Sequence, residues 1–281
     1  MIKVDNLIKN YGDFHLNVSL EIPEGTVTGL VGKNGAGKST VIKAILGLIR
    51  PDGGTVLVNG KEALSLDGME KQMIGAALAD AGFSSYLTVE DVIRILRKLY
   101  PAFDEDFFRK ACAEQGLAFN KTIKDFSTGM RAKLRVLTAL SHKAEILIMD
   151  EPTAGLDVQA RIDVLDLLRR YLAEHERCSI LLTSHISTDL ESLCDDIYLI
   201  HNGKIILHED TDVILGSCGI LKVSDEEYEK LDRRYILSTK KEAFGYACFT
   251  REKQFYAENY PGIVIENGSI DELILMMTGG K

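Results

Sequence analysis

The stretch Val27-Thr28-Gly29-Leu30-Val31-Gly32-Lys33-Asn34-Gly35-Ala36-Gly37-Lys38-Ser39-Thr40-Val41-Ile42-Lys43-Ala44-Ile45-Leu46 decides the fold of this chain. Its first five residues read as a buried strand and its last six as the opening turns of a helix. Between them Gly32 to Thr40 fits the pattern G-x-x-x-x-G-K-[ST], a phosphate-binding loop. The glycines let the backbone turn so that several N–H groups point at one anion. The helix N-terminus adds its partial positive charge. Lys38 is spaced to reach the outer phosphates, and the Ser39 hydroxyl to ligate Mg²⁺. An ordinary glycine-rich turn before a helix requires neither the lysine nor the hydroxyl. The stretch therefore predicts an α/β chain organised around a nucleotide phosphate.

The bulk numbers narrow the possibilities. The chain has 281 residues, enough for one large domain with an appendage or for two domains. A hydrophobic content of 46% supports a sizeable core. Lys+Arg 33 against Asp+Glu 42 gives a net charge of −9, which disfavours a nucleic-acid partner held by bulk charge. Cys112, Cys178, Cys194, Cys218 and Cys248 lie far apart with no metal-ligand spacing, so they read as small core hydrophobes in a reducing compartment. Met1-Ile2-Lys3-Val4-Asp5 does not read as a signal peptide, and no apolar run approaches bilayer length. The expectation is a soluble chain whose membrane role, if any, comes through a partner.

Leu16, Val18, Leu20 and Ile22 alternate with polar residues, as in a strand with one buried face. Upstream, Tyr11 sits in a short loop. An aromatic there suits stacking on a purine, and equally suits an ordinary surface tyrosine. Thr55–Val58 and Ile74–Leu78 read as further strands, the latter left by Ala79-Asp80-Ala81-Gly82. Residues from about Thr88 to His142 look helical. Thr88 is placed to cap a helix with Val92, Ile95, Leu96 and Leu99 on its apolar face. A second helix is expected near Asp104 to Gln115. Phe126-Ser127-Thr128-Gly129-Met130 then leads into a third. This block reads as a helical insertion in an α/β chain.

Ile146-Leu147-Ile148-Met149 is apolar on both faces, the pattern of a central parallel strand, and it ends in Asp150-Glu151. Adjacent carboxylates at such a tip are costly to desolvate without matching cations, so they point to a site rather than to a cap and a surface acid. Ser179–Ser184 is another buried strand with His185 at its tip, on the edge where α/β sites lie. Ile197–Ile200, Asn202-Gly203 and Lys204–Leu207 make a hairpin. From 211 to 281 the chain is richer in charge and tyrosine and reads as a small α+β appendage, its last helix opened by Ser269-Ile270-Asp271-Glu272.

The order of phosphate loop, Phe126-Ser127-Thr128-Gly129-Met130, Asp150-Glu151-Pro152-Thr153-Ala154-Gly155-Leu156-Asp157 and His185 resembles the nucleotide-binding subunit of ABC transporters over residues 1–210. The resemblance implies a P-loop NTPase fold: a RecA-like core, an N-terminal antiparallel β subdomain and a helical insertion at about 84–142, with the 211–281 appendage added. It implies ATP and Mg²⁺ as cofactors. Tyr11 is then the adenine-stacking aromatic. Gly32, Asn34, Gly35, Ala36, Gly37, Lys38, Ser39 and Thr40 form the Walker A loop, with Lys38 also counted among the catalytic residues. Asp150 is the Walker B carboxylate, binding Mg²⁺ with Ser39. Glu151 is the general base and His185 the switch histidine. Asp157 lies in the D-loop. Ser127 and Gly129 belong to the signature motif, which in the family contacts ATP bound by the opposite subunit.

Two departures from the family pattern stand out. Thr128 and Met130 replace the usual first glycine and glutamine of the signature, a form similar to antibiotic- and peptide-export subfamilies of the bacitracin-resistance type. Ala79 stands about where the family has a glutamine, and Asp80 is the candidate substitute as a Mg²⁺ contact. The implied activity is ATP hydrolysis driving a separate membrane permease, with export the implied direction. The implied partners are the permease and a second ATP-binding subunit, identical or different. The implied location is the cytoplasm, peripheral at the inner face of the cell membrane, without direct insertion. The alternatives are a soluble ABC ATPase of the iron–sulfur assembly type and an ATP-dependent interaction module; Glu151 with His185 argues against a module that does not hydrolyse.

Overall fold

The structure, a computed structural model, describes residues 1–79 and 81–279. The chain opens with β1 (Ile2–Tyr11), β2 (Phe14–Ile22) and β3 (Val27–Val31), then α1 (Lys38–Ile45), β4 (Gly53–Val58), β5 (Lys61–Glu62), α2 (Gly68–Lys71) and β6 (Ile74–Ala77). Three helices follow: α3 (Val89–Leu99), α4 (Glu105–Glu114) and α5 (Thr128–Leu140). Next come β7 (Ile146–Asp150), α6 (Val158–Glu174), β8 (Ser179–Thr183), α7 (Ser187–Leu193), β9 (Asp196–His201) and β10 (Lys204–Asp210). The last part holds α8 (Thr211–Gly216), β11 (Gly219–Val223), α9 (Asp225–Lys230), β12 (Ile236–Glu242), β13 (Gly245–Thr250), α10 (Lys253–Asn259), β14 (Val264–Asn267) and α11 (Ile270–Thr278).

The strands form three sheets. The central one has the order β10-β9-β3-β8-β7-β6 and is parallel except for β10 on its edge. Every residue of β3 and β8 is buried, and all of β7 except Asp150. This follows from a sheet covered on both faces, where a strand can carry no polar stripe. Parallel pairing also sends the C-terminal tips of β3, β6, β7 and β8 to one edge, which brings together the phosphate loop, Ala79, Asp150-Glu151 and His185.

The second sheet, β2-β1-β4-β5, is antiparallel. The expected alternation in β2 is observed: Leu16, Val18, Leu20 and Ile22 are buried, and Asn17, Ser19 and Glu21 exposed. These side chains share a core with Val41, Ile42 and Ile45 of α1, which ties the loop-bearing helix to both sheets. The β9–β10 hairpin turns at Asn202 and Gly203, whose φ of 47° and 75° suit a two-residue hairpin turn matched to the strand twist.

In the helical block, Thr88 caps α3 by accepting the Asp91 N–H, and the Asp91 carboxylate accepts the Thr88 N–H in return. The buried face of α3 is Val89, Val92, Ile93 and Leu96. This stripe is set one turn earlier than expected, and Leu99 is exposed, because the helix meets the core through its first two turns and ends at Leu99. Asp104 caps α4 and Ser127 caps α5.

The C-terminal strands form a third, antiparallel sheet of order β12-β13-β11-β14. One face carries a local cluster of Leu221, Val223, Cys248 and Tyr256. The other face, with Ile220 and Phe249, joins α11 residues Ile270, Leu273 and Met276 in the large core that also contains Leu190 of α7. Burying each such aliphatic side chain stabilises by roughly 1.5–3 kcal/mol. This region is thus packed onto the central fold through α11, and Lys33 of the phosphate loop donates to the Thr278 carbonyl at its end. All five cysteines are buried. Burial pushes the Cys112 and Cys178 thiols up to about 12, in keeping with unreactive core side chains.

Candidate nucleotide-binding site

The phosphate loop leaves β3 and turns into α1. Gly35 has φ +79°, in the left-handed region that glycine adopts without strain. At Gly32 a Cβ would lie 2.2 Å from the Ile200 carbonyl oxygen, so a side chain there is excluded by the neighbouring strand. α1 begins at Lys38 with no side chain capping its N-terminus, which leaves that end available to an anion. Lys38 is 8% exposed, and its Nζ donates to the Gly32 carbonyl at 2.7 Å. The ammonium is thus folded over its own loop.

An open cleft of about 540 Å³ lies over the loop. Asn34, Gly35, Gly37, Lys38, Ser39 and Thr40 line its floor, Asp150, Glu151 and Ala79 one wall, and Tyr11 and Phe14 the other. Tyr11, expected in a short loop, is instead the last residue of β1, paired with Phe14; its ring is half-exposed and carries the Lys9 ammonium 5.6 Å from its centroid. Gly32 and Ala36 are not on the cleft surface; Ala36 is buried beneath it.

The two carboxylates are positioned by β8. Asp150 and Thr183 are paired in the parallel ladder, and the Thr183 hydroxyl donates to Oδ1 of Asp150 at 2.7 Å. The Glu151 N–H then reaches back to the Thr183 Oγ1 at 3.0 Å and to its carbonyl oxygen at 3.1 Å. Glu151 has φ 50°, a left-handed conformation that costs a non-glycine residue roughly 1–2 kcal/mol and persists because these bonds hold it. Its side-chain Oε2 accepts from the His185 N–H at 3.2 Å and lies 2.6 Å from His185 Nδ1. Behind them, buried Asp189 of α7 accepts from the Thr153 hydroxyl and from Arg161 Nε, joining the segment after Glu151 to the helix after His185.

Residues 16–154 match the family model for the ABC transporter. The bacitracin transport ATP-binding protein of Enterococcus faecalis is 32% identical over 210 residues, 73% of this chain and 68% of that protein. The lantibiotic transport ATP-binding protein of Streptococcus pyogenes is 32% identical over 75% of this chain and 92% of its own length. Among solved structures, an ATP-binding subunit of an ABC transporter superposes with a TM-score of 0.68 at 27% identity, covering 76% of this chain and 91% of that one. The chain belongs to the ABC transporter ATP-binding family.

An ABC cassette is an ATPase, and the cleft brings together the group types that phosphoryl transfer uses: the Lys38 cation, the oxygen donors of Ser39 and Asp150, and the Glu151 carboxylate. Ser39 and Asp150 line the same cleft and are hard oxygen donors, the ligand type that suits Mg²⁺. Besides Gly32 and Ala36, the expected residues Ser127, Gly129, Asp157 and His185 do not line the cleft, although His185 reaches it through Glu151. Ser127 is exposed at the N-cap of α5, where its Oγ accepts the Met130 N–H at 3.1 Å and keeps its own proton to donate. Gly129 follows it, so close to α6 that a Cβ would come within 2.9 Å of the Ala160 Cβ. Asp157 caps α6 through the Ala160 N–H at 2.8 Å. Asp80 lies outside the described residues. The structure adds Phe14, Lys33, Thr183 and Asp189, none of which carries a motif of its own. The nearest signal is the polar end of an otherwise apolar strand at Thr183-Ser184.

Proposed function

We propose that this ABC ATPase hydrolyses Mg-ATP in the cleft over Lys38 and drives a separate membrane permease that exports an antibiotic-type peptide. The observation that carries the reading is the convergence of Lys38, Ser39, Asp150 and Glu151 on one cleft at the C-terminal edge of the parallel strands. Mg²⁺, held by Ser39 and Asp150, would neutralise the charge of the β- and γ-phosphates. Lys38 gives up the Gly32 carbonyl to bind the triphosphate, and Tyr11 stacks on the base. Glu151 orients the attacking water and takes its proton, while His185 moves from Glu151 to the γ-phosphate. Ser127 and Gly129, away from their own cleft, serve the ATP of a second cassette facing head to tail, so the working unit is a dimer, of like or unlike subunits.

The proposed substrate class rests on the relatives, whose names specify bacitracin and lantibiotic transport, and the proposed direction rests on the export-type form of the signature at Thr128 and Met130. Among the described residues no helix is long and apolar enough to cross a membrane, which supports a subunit held at the inner face by its permease. The test is affinity purification of the tagged chain from detergent-solubilised membranes, followed by ATPase assay of the complex with candidate peptides. Recovery of a polytopic membrane protein and peptide-stimulated hydrolysis are expected. A catalytically active chain that never recovers such a partner would overturn the transport reading in favour of a non-transport ATPase.

A further inference from the structure

The geometry points to Thr183 as a positioning residue for both catalytic carboxylates, an inference that rests on the roles proposed above for Asp150 and Glu151. Thr183 is fully buried at the last position of β8, in ladder register with Asp150. Its hydroxyl has one proton to give and lone pairs to receive with, and it uses both: it donates to Asp150 Oδ1 and accepts the Glu151 N–H. Among the described residues no other side chain donates to the Asp150 carboxylate. One oxygen is therefore held from the side, and among the described residues the other has no hydrogen-bond donor.

The second bond matters as much. Glu151 sits at φ 50°, so its backbone is held against its own preference, and the held conformation is what turns the side chain out of the strand direction toward the cleft. A β8 side chain without a hydroxyl leaves the Glu151 N–H bonded to the Thr183 carbonyl, the longer of the two contacts, and removes the side-chain link from β8 to Asp150, while the Glu151–His185 bond stays. Small losses of aim at a metal-binding carboxylate and a base reduce turnover far more than they reduce nucleotide binding, because the triphosphate is gripped by the phosphate loop.

The experiment compares Thr183→Val, which keeps shape and loses the hydroxyl, with Thr183→Ser, which keeps the hydroxyl and loses the methyl. Thr183→Val is expected to lower kcat about tenfold or more and to raise the Mg²⁺ concentration for half-maximal turnover. Its affinity for a fluorescent ATP analogue in EDTA should stay within about twofold of wild type. Thr183→Ser should recover kcat and the Mg²⁺ dependence. Wild-type kcat and Mg²⁺ dependence in Thr183→Val would overturn the inference, as would a Thr183→Ser protein as impaired as Thr183→Val, since packing would then be the cause. Should Thr183→Val fail to fold by thermal melting, Thr183→Ala deletes the hydroxyl without it and carries the same comparison. Lys38→Ala is assayed alongside. An inactive Lys38→Ala with a fully active Thr183→Val sinks this inference alone, whereas an active Lys38→Ala sinks the reading of the site beneath it.

Discussion

Glu151 and His185 are bonded to each other across the tips of β7 and β8, with 2.6 Å between Oε2 and Nδ1 and a further bond of 3.2 Å from the His185 N–H to the same oxygen. On the proposed roles, the base and the residue that senses the γ-phosphate begin as partners, and binding of a triphosphate would divide them, the carboxylate toward a water and the imidazole toward a phosphate oxygen. The Thr153–Asp189–Arg161 bonds join the two segments behind the pair.

On the proposed reading, Lys38 supplies the main side-chain charge for the β- and γ-phosphates. Lys38→Ala should reduce steady-state ATP hydrolysis by about 100-fold or more. Phosphate release by the purified protein measures this, and near-normal turnover would reject the loop assignment.

Removing the base while leaving the binding site intact should trap the nucleotide-bound assembly. Glu151→Gln is expected to lose about 100-fold or more in turnover. In Mg-ATP it should run as a dimer on size exclusion, while the nucleotide-free protein runs largely as a monomer. Adding Ser127→Arg, which sets bulk on an exposed residue away from its own cleft, should dissolve that dimer. A Glu151→Gln protein with ATP bound that stays monomeric at high concentration would point to an unlike second cassette.

Asp189 is 1% exposed and takes its positive partner from Arg161. Truncating one member of a buried pair leaves the other uncompensated, a loss of about 3–5 kcal/mol when both are buried. Arg161 keeps 27% of its side chain in solvent and regains hydration, so Asp189→Ala should cost roughly 2 kcal/mol. Chemical denaturation followed by circular dichroism reads this directly; a change within a few tenths would show that the bonds are incidental.

His142 should make the fold acid-sensitive. Burial lowers its pKa below the ordinary value of about 6.5, although the Ile74 and Thr138 carbonyls pull the other way. As pH falls below 6.5 the unfolded chain takes up the proton first, so the folded state loses stability until its own lower pKa is passed. Above 6.5 this contribution is fully present. The melting temperature of wild type should therefore fall across that window more than that of His142→Gln, which keeps a donor but does not titrate; parallel curves would refute the assignment.

What the sequence determined by itself is local chemistry with fixed spacing. Gly32 to Thr40, Asp150-Glu151 and His185 lie where backbone turns and strand ends demand particular residues, so motif, strand and helix are readable together. The apolar runs of β3, β7 and β8 announced a covered parallel sheet for the same reason. What only the tertiary structure decided is which side chains meet across strands. Thr183 is an unremarked residue until parallel register sets it beside Asp150, and Asp189 until α7 packs against α6 and Thr153. Phe14 joins the cleft because the antiparallel sheet folds over the loop, and Lys33 meets Thr278 only because α11 returns across 245 residues of chain. Register and packing are sums over many distant contacts, each weak in its own stretch of sequence, and they become definite only when the whole core closes.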